Sequence, residues 1–347
     1  MLSRAAIAAG RTPERRLNPI LNNKTKVVLG VVIFGAFGVA VEVYVGWGKL
    51  LTPWRELAPG TIAMMLVLTG ATYGLRTLRL FDYFYADMRG RFGLCLKLML
   101  QHNLWNNLLP MRSGELSFPL LMHRYFQVPV ARSVPALVWL RVLDLHSLLA
   151  LGLAAFGSLW FGWEGSLLVF ALWLPIPWLV FKSKGYLVRK LEQYAADRGG
   201  RWSALALTLL DSLPNRPREL LRSWARTVLT WILKMGVGAW VLKQFIETGY
   251  LAAVAGAIGG DLTGVIPIQG VAGTGTYEAG VVAALLPFGV PSVAALQAAV
   301  NLHLYLLGSS LIGGAVSLLI GEGRKPVSGL SLIHISEPTR LRRKSRM

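Results

Sequence analysis

The chain has 347 residues, of which 54% are hydrophobic and only 15% are charged. Soluble globular domains carry about 25% charged residues, so this composition excludes an ordinary soluble protein and indicates a membrane protein. The formal net charge of +19 could suggest nucleic-acid binding. The basic residues, however, are dispersed over the gaps between apolar stretches, as the positive-inside rule predicts for cytoplasmic loops.

Two predicted spans begin the chain, at residues 27–44 and 61–75. The preceding residues 1–26 are rich in Arg and Lys and contain Glu14 as their one acidic residue. This bias places the N-terminus in the cytoplasm, and the segment lacks a cleavable signal pattern. Residues 76–97 interleave basic and aromatic side chains, which predicts an amphipathic helix on the inner membrane surface.

The next unit is predicted to be re-entrant. Residues 92–109 and 116–125 are apolar, and basic residues flank the unit on both sides, so both of its ends are predicted to be cytoplasmic. Between the two apolar stretches, residues 106–115 read Asn-Asn-Leu-Leu-Pro-Met-Arg-Ser-Gly-Glu. This polar interruption contains Asn106, Asn107, Pro110, Arg112, Gly114 and Glu115.

The rest of the chain contains four more predicted spans and a second re-entrant unit. Residues 134–156 and 167–181 are predicted spans joined by an outer turn at 160–164, and a basic cytoplasmic loop with at least one surface helix follows at 182–226. Residues 228–245 are predicted to cross outward. A second re-entrant unit covers 250–265 and 279–288, and 294–320 is the last span. The prediction is therefore about six spans and two re-entrant units of opposite orientation.

The second interruption, residues 266–278, reads Ile-Pro-Ile-Gln-Gly-Val-Ala-Gly-Thr-Gly-Thr-Tyr-Glu and is similar to a distorted copy of the first. Hydrocarbon tolerates non-helical backbone and ionisable side chains only where they are buried in protein or line a watery cavity. A matching pair of broken helices indicates an inverted repeat with a transport site between its halves. We therefore predict an all-α polytopic membrane protein with one domain at 27–320, built from inverted repeats at about 27–156 and 227–320.

Two further segments follow the last predicted span. Residues 321–330 are predicted to form a short cytoplasmic tail. Residues 331–347, beginning Ser-Leu-Ile-His-Ile-Ser-Glu-Pro-Thr-Arg, resemble translated sequencing-adapter DNA and are excluded from the prediction as non-native.

Arg112 and Glu115 lie three residues apart at the predicted tip of the first re-entrant unit, where Gly114 permits a tight turn. Two interpretations are open. The residues could form a structural ion pair, or Arg112 could contact a lipid phosphate, for which a planar guanidinium is well suited.

Glu278 has no basic neighbour within its own motif. It could accept hydrogen bonds from a helix cap, from Thr274 or from Thr276. Alternatively, it could be a counter-charge for a cationic headgroup, a proton-coupling site, or a partner of an arginine in the other repeat, Arg112 or Arg141. Three glycines of the motif should let a broken helix direct its backbone dipoles toward the cavity: Gly270, Gly273 and Gly275.

Charged and polar residues within the spans are the remaining candidates. Arg141 and Asp144 share a helix face, which favours a local ion pair in a cavity wall. Glu42, Lys234 and Asp261 are each expected to be a partnered charge or an interfacial side chain rather than a ligand, and Asn301 is a polar residue early in the last span. The sequence shows no metal-ligand spacing and no nucleophile elbow, so we predict no metal, no cofactor and no enzymatic activity.

The two interruptions, together with Arg141 and Asp144, resemble the lysylphosphatidylglycerol synthase transmembrane family of flippase-like proteins. The similarity runs from about residue 27 to residue 320. It implies a bacterial inner-membrane protein with re-entrant helices around a lipid-accessible cavity. In the best-understood members this domain moves aminoacylated phosphatidylglycerol between leaflets and precedes an aminoacyl-transferase domain. Only a short tail follows Ile320 here, so lipid aminoacylation is not expected and the identity of the lipid is open.

The predicted function is lipid transport, in which the headgroup crosses through a cavity between the repeats. The alternative is a non-transporting scaffold or regulator that binds lipid and partners a separate glycosyl- or aminoacyl-transferase. Membrane lipids are the expected partners, nucleic acid is not, homo-oligomerisation is open, and both termini are expected to be cytoplasmic. The predicted headgroup-binding residues are Arg112, Glu115, Asn106, Asn107, Arg141, Asp144, Gln269, Glu278 and Asn301, and the structural residues at the tips are Pro110, Gly114, Pro267, Gly270, Gly273 and Gly275.

Overall fold

A computed structural model describes residues 46–198, 216–264 and 271–322, with a few further positions within 35–43 and 203–210. The side chains of residues 110–112 and 196–198 are outside this description. Several predicted segments therefore lie outside the described residues: most of the first span at 27–44, the segment 1–26, part of the basic loop and the tail from 323 onward. Four predicted site residues have no described side chain: Pro110, Arg112, Pro267 and Gln269.

Every regular element within the described ranges is helical. The α-helices are α1 (Trp47–Glu56), α2 (Pro59–Tyr83), α3 (Tyr85–Met88), α4 (Phe92–Leu108), α5 (Ser117–Phe126), α6 (Val130–Trp173), α7 (Ile176–Lys182), α8 (Lys184–Arg198), α9 (Pro217–Leu242), α10 (Tyr250–Thr263), α11 (Thr276–Leu285) and α12 (Ser292–Leu319). Three segments are 3-10 helical: Pro110–Leu116, here the first turn; Val271–Gly273, here the second turn; and Leu286–Phe288.

Four helical stretches are long and apolar enough to cross a membrane: Pro59–Tyr83, Val130–Lys182, Pro217–Leu242 and Ser292–Leu319. Large apolar side chains are exposed on them, as Leu318 is at 76% of its surface and Val67 at 66%. Such surfaces are stable against lipid and unstable in water. The chain is therefore a multi-pass helical membrane protein, whereas the count of six spans and the inverted repeat stay predictions.

The stretch Val130–Lys182 reverses direction at Gly162, whose φ of 65° interrupts the helix. The indole Nε1 of Trp173 donates to the carbonyl of His146 at 3.2 Å, and Nε2 of His146 lies 3.0 Å from the carbonyl of Trp173. The segment after Gly162 thus folds back along the segment before it. This confirms the turn that was predicted at 160–164.

Each polar interruption joins two short helices that pack on one another. In the first hairpin, α4 has 17 residues and α5 has 10; in the second, α10 has 14 and α11 has 10. At 1.5 Å per residue, helices of this size reach ~15–25 Å and fall short of the ~30 Å hydrocarbon core. The first and second turns contact each other. The tips of the hairpins therefore meet, whereas the faces from which they enter stay a prediction.

Glycine is required in both hairpins because backbones approach closely. A Cβ on Gly114 would collide with the carbonyl oxygen of Trp105 and the Cα of Asn106. In the second hairpin, a Cβ on Gly280 would collide with the carbonyl oxygen of Gly259. Small residues permit such contacts between membrane helices. The predicted reason for Gly114, backbone freedom in a tight turn, is corrected here to close packing.

One prediction about the second span is wrong. The helix does not end near residue 75 but continues as α2 to Tyr83. Arg76 and Arg79 therefore do not belong to a separate amphipathic helix on the membrane surface. Both line an internal cavity, which forms because α2 packs on α4 and α9.

Candidate functional site

A central cavity of about 240 Å³ lies among α2, α4, α6, α9, α10, α12 and the second turn. Its wall combines apolar side chains with several charged and amide side chains. Ionisable groups at membrane depth are costly unless they are paired or line such a cavity, which makes this the candidate functional site. Of the predicted residues it includes Asn106, Asn107, Arg141, Asp144 and Gly273.

Asp144 on α6 is surrounded by donors from three helices. Arg79 on α2 donates to both carboxylate oxygens, with the Nη2–Oδ2 distance at 3.2 Å. The indole of Trp231 on α9 donates to Oδ1 at 2.9 Å, and Arg141 donates to Oδ2 at 3.3 Å. Since each oxygen already accepts two hydrogen bonds, Asp144 is a structural anchor of the cavity wall. The predicted pairing of Arg141 with Asp144 is present, but the bidentate partner is Arg79.

Arg141 connects this anchor to the first turn. Its Nη2 lies 2.8 Å from Oε1 of Glu115 and 3.3 Å from Nε2 of His102 on α4. Nδ1 of His102 in turn lies 2.9 Å from the hydroxyl of Ser117. The structure therefore places Glu115 beside Arg141 of α6. The alternative partner considered from the sequence, Arg112, has no described side chain.

Arg76 is the cation of the cavity that faces no carboxylate within ion-pair distance among the residues that the structure describes. Its Nη1 donates to the amide oxygen of Asn103 at 3.3 Å. The amide of Asn103 donates to the hydroxyls of Tyr73 at 3.0 Å and Ser310 at 3.3 Å. Asn107 also donates to Ser310, at 2.5 Å. A guanidinium and a row of amides thus occupy one side of the cavity.

Asn106 adds to this polar side. Its Oδ1 is buried, and no hydrogen-bond partner for it lies within the described part of the chain. Buried polar atoms are normally satisfied by protein or by ordered water. The wall around Arg76 is therefore polar enough to hold water or the oxygen atoms and hydroxyls of a bound headgroup.

Lys234 on α9 and Asp261 on α10 also line the cavity, and their side chains meet at 2.6 Å. Of the two alternatives considered from the sequence, a partnered charge or an interfacial side chain, the structure shows the partnered charge for both residues. The ammonium of Lys234 additionally lies 4.8 Å from the ring centroid of Trp231, a cation–π contact.

Glu278 caps α11 from inside the second hairpin. Its Oε2 accepts the backbone N–H of Gly275 at 2.7 Å, and its Oε1 lies 2.6 Å from Nδ1 of His303 on α12. Of the roles considered for Glu278 from the sequence, the structure shows acceptance of a hydrogen bond at the helix cap. The predicted donors Thr274 and Thr276 are not used, since their hydroxyls donate to backbone carbonyls of the second turn. Glu278 is only 2% exposed, and His303 reaches the cavity in its place.

The predicted tip glycines of the second hairpin adopt conformations that need glycine. Gly273 has a φ of 80° and Gly275 a φ of 83°, both in the left-handed region. Ala272 between the helices is also left-handed, with a φ of 56°, which is uncommon for a residue with a side chain. Gly270 lies outside the described residues.

The placement of Asn301 corrects its predicted role. Its side chain is buried on a face of α12 that contacts α1, outside the cavity wall. The indole of Trp54 donates to Oδ1 at 2.6 Å, and Nδ2 donates to the carbonyls of Leu50 and Gln297, both at 3.0 Å. A fully satisfied amide of this kind holds α1 against α12.

Sequence reasoning missed Arg76 and Arg79 as cavity residues, although a signal was present. Thr69, Thr72, Arg76 and Arg79 are spaced by three or four residues and so share one face of a helix. A polar face of this length within a membrane helix predicts a polar lining. Two further cavity residues, His102 and His303, carried no such spacing, because their partners come from other helices.

No group of three or more His, Cys, Asp or Glu residues suited to a metal ion occurs in the described part of the chain.

A family model, described as the lysylphosphatidylglycerol synthase TM region, matches residues 27–314. No curated protein and no solved structure matches the chain. The family match includes both hairpins and the central cavity between them.

Proposed function

Because the chain belongs to the lysylphosphatidylglycerol synthase transmembrane family, we propose that it moves lipids between the leaflets of a bacterial inner membrane. In this proposal the polar headgroup crosses through the central cavity while the acyl chains stay in the bilayer. Both termini face the cytoplasm, and no chemical reaction is part of the process.

The size of the cavity supports a headgroup as the occupant. Its volume of about 240 Å³ lies below the ~300–1,000 Å³ of pockets that enclose drug-sized ligands. A phosphate with a small polar substituent is compatible with this space, whereas two acyl chains are not. The long apolar side chains exposed on the spans provide the lipid-facing surface along which the acyl chains would slide.

The single observation that carries the proposal is the position of Arg76. Its guanidinium faces Asn103 in the cavity, and no described carboxylate lies within ion-pair distance of it. A charge without a direct partner is costly at membrane depth. A phosphate would offset that cost, since a guanidinium donates two parallel hydrogen bonds to phosphate oxygens. Amide groups of Asn106 and Asn107 would complete the contacts to the headgroup.

The experiment is reconstitution into vesicles of phosphatidylcholine and phosphatidylglycerol that contain fluorescently labelled phosphatidylglycerol, with leaflet exchange read by quenching of the outer dye. Arg76→Gln should slow exchange by about tenfold or more, the factor that loss of one charge-assisted hydrogen bond produces. Arg55→Gln is the matched control, because Arg55 is exposed on α1 and is not one of the residues that line the cavity. Equal exchange by the wild type, Arg76→Gln and empty vesicles would reject the transport function.

A specific observation also favours a second candidate, a lipid-binding scaffold that partners a separate glycosyl- or aminoacyl-transferase. Arg79, Arg141 and Lys234 are each neutralised by a carboxylate, and a wall of satisfied ion pairs can hold one lipid without moving. This candidate predicts lipid that copurifies with the protein, a transferase that copurifies as well, and no leaflet exchange above that of empty vesicles.

A further inference from the structure

An acid and an imidazole are buried together at the second hairpin, and both neighbours of the imidazole are oxygen atoms. Nδ1 of His303 lies 2.6 Å from Oε1 of Glu278, and Nε2 lies 3.0 Å from the carbonyl oxygen of Ala272. A carbonyl can only accept a hydrogen bond, and a neutral imidazole has one N–H and one lone pair. Both contacts are therefore hydrogen bonds only if Glu278 and His303 together hold two protons.

Two arrangements of these protons satisfy the geometry. In one, an imidazolium donates to the carboxylate and to Ala272. In the other, a carboxylic acid donates to Nδ1 while Nε2–H donates to Ala272. When one proton leaves, either the carboxylate or the Ala272 carbonyl faces a lone pair of the ring. The side chains of His303 and Glu278 are only 7% and 2% exposed, so a polar atom left without its partner there is costly and favours a movement that restores a hydrogen bond.

The contact that would be lost constrains the second turn. Ala272 is held in the left-handed region, with a φ of 56°, which a residue with a side chain adopts only when its surroundings enforce it. The second turn contacts α4 and the first turn, and Ala272, Gly273 and His303 all line the central cavity. The protonation state of the pair is thus connected mechanically to the place where the two hairpins meet.

Other titratable and charged groups face this pair or the same cavity. The ring of Tyr277 lies 4.6 Å from that of His303, and the α10–α9 side carries the ion pair of Asp261 with Lys234 at 2.6 Å. Within the described side chains the remaining groups that line the cavity, from α2, α4 and α6, are Tyr73, Arg76, Arg79, His102, Arg141 and Asp144, and Glu115 of the first turn is paired with Arg141. Most of the acids and bases among them are paired with each other, so Glu278 and His303 form a separate buried acid–base pair beside them.

We propose that Glu278 and His303 form a proton-binding site that couples the gain and loss of one proton to the conformation of the second turn. One proton passes between the pair and the water of the cavity, and no other bond forms or breaks. Coupling of this proton to headgroup movement rests on the proposed function, whereas the proton site and its effect on the turn do not. A pH gradient across the membrane would then drive or gate the transporter.

Glu278→Gln tests the proton site directly. The glutamine amide can donate to Nδ1 while its oxygen accepts from the N–H of Gly275. His303 then keeps Nε2–H toward the carbonyl of Ala272, and the turn stays closed without a titratable proton on residue 278. Nitrogen-15 NMR spectra of histidine-labelled protein in lipid discs are recorded between about pH 5 and pH 9. The signals of His303 are those that disappear from the spectrum of His303→Gln. In the wild type the chemical shifts of the two ring nitrogens should change with pH together with the carbonyl resonance of Ala272.

In Glu278→Gln the ring should remain neutral with hydrogen on Nε2 over the same range, and Ala272 should not respond. Glu247→Gln, at an exposed position, is the matched control and should behave like the wild type. A wild-type ring that is already neutral and insensitive to pH, with an unchanging Ala272 carbonyl, overturns the proposal. A ring that titrates while the Ala272 resonance stays constant overturns the coupling to the turn.

Vesicles with an imposed pH difference separate this proposal from the proposed function. Exchange of labelled phosphatidylglycerol by the wild type should change by about tenfold per pH unit, the limit for one linked proton, and Glu278→Gln should be insensitive to the gradient. Exchange that is active but independent of the gradient in both proteins rejects proton coupling and leaves lipid transport intact. If no protein catalyses exchange, transport fails, and the NMR titration still decides the proton site.

Discussion

Arg79 and Asp144 form a bidentate ion pair although they are 65 positions apart in the chain. The side chains are only 8% and 10% exposed, and the pair joins α2 to α6 at the wall of the central cavity. A pair with this burial is largely shielded from water. Its two members therefore depend on each other more than an exposed pair does.

Removal of one member of this pair should destabilise the protein strongly. Asp144→Asn leaves the guanidinium of Arg79 buried without its counter-charge, which costs about 3–5 kcal/mol. The double variant Arg79→Met with Asp144→Leu should recover a large part of that loss, because no isolated charge remains. Thermal unfolding in detergent, followed by intrinsic fluorescence, measures both.

The matched control is the exposed pair of Arg132 and Asp87, whose nitrogen and oxygen lie 2.9 Å apart with Arg132 at 54% exposure. Arg132→Gln should change stability by less than about 1 kcal/mol. Equal losses for Asp144→Asn and Arg132→Gln would contradict the structural role of the buried pair.

Substitution of Arg76 should affect lipid binding, whereas substitution of Arg79 should affect stability. Arg76→Gln breaks no ion pair within the described residues, so thermal stability should be unchanged or higher, while binding of an anionic lipid should weaken by about tenfold or more. Arg79→Gln should instead lower stability. Native mass spectrometry of phosphatidylglycerol retained after gentle extraction measures the binding. Retention of the same amount of lipid by Arg76→Gln and wild type would argue against Arg76 as the phosphate contact.

Gly114→Ala should disrupt the first hairpin. The added Cβ would overlap the backbone of Trp105 and Asn106, and backbone cannot move aside as a flexible side chain can. Overpacking of this type costs about 1–3 kcal/mol or more. Gly70→Ala on α2 is the control, since nothing lies within 4 Å of its added Cβ; it should be neutral or stabilising. The comparison uses thermal unfolding and the rate of lipid exchange per folded molecule.

Asn301→Ala should lower stability without changing transport per folded molecule. The substitution leaves the indole N–H of Trp54 and the carbonyl of Leu50 without their partner, at a cost of about 1–3 kcal/mol. Asn107→Ala provides the contrast, because Asn107 lines the cavity and should affect lipid exchange. A specific loss of exchange in Asn301→Ala, with normal stability, would restore Asn301 to the headgroup site.

The broad architecture could be predicted because the bilayer imposes simple rules on sequence. Long apolar stretches marked the spanning helices, and Gly162 ended one of them where the turn at 160–164 was expected. The two polar interruptions became the turns of two short hairpins whose tips meet. Proline, glycine and charge inside an apolar sequence have few explanations in hydrocarbon, so a local pattern was sufficient.

The partners within the site could not be predicted in the same way. The local spacing of Arg141 and Asp144 suggested one pair, yet Asp144 has its bidentate contact with Arg79 and Arg141 reaches Glu115. Asn301 had the same polar character as Asn107 but lies on the other side of its helix, against α1. Which face of a helix meets which neighbour depends on packing across the whole bundle.

The sequence by itself determined that this is a helical membrane protein with two broken hairpins and a polar interior, because hydrophobicity and backbone breaks act locally. Only the tertiary structure decided that Arg76 has no carboxylate within ion-pair distance among the described residues, and that His303 lies between Glu278 and the carbonyl of Ala272. These relationships join residues from separate helices. They arise from distances in space, which charge and spacing along one chain do not encode.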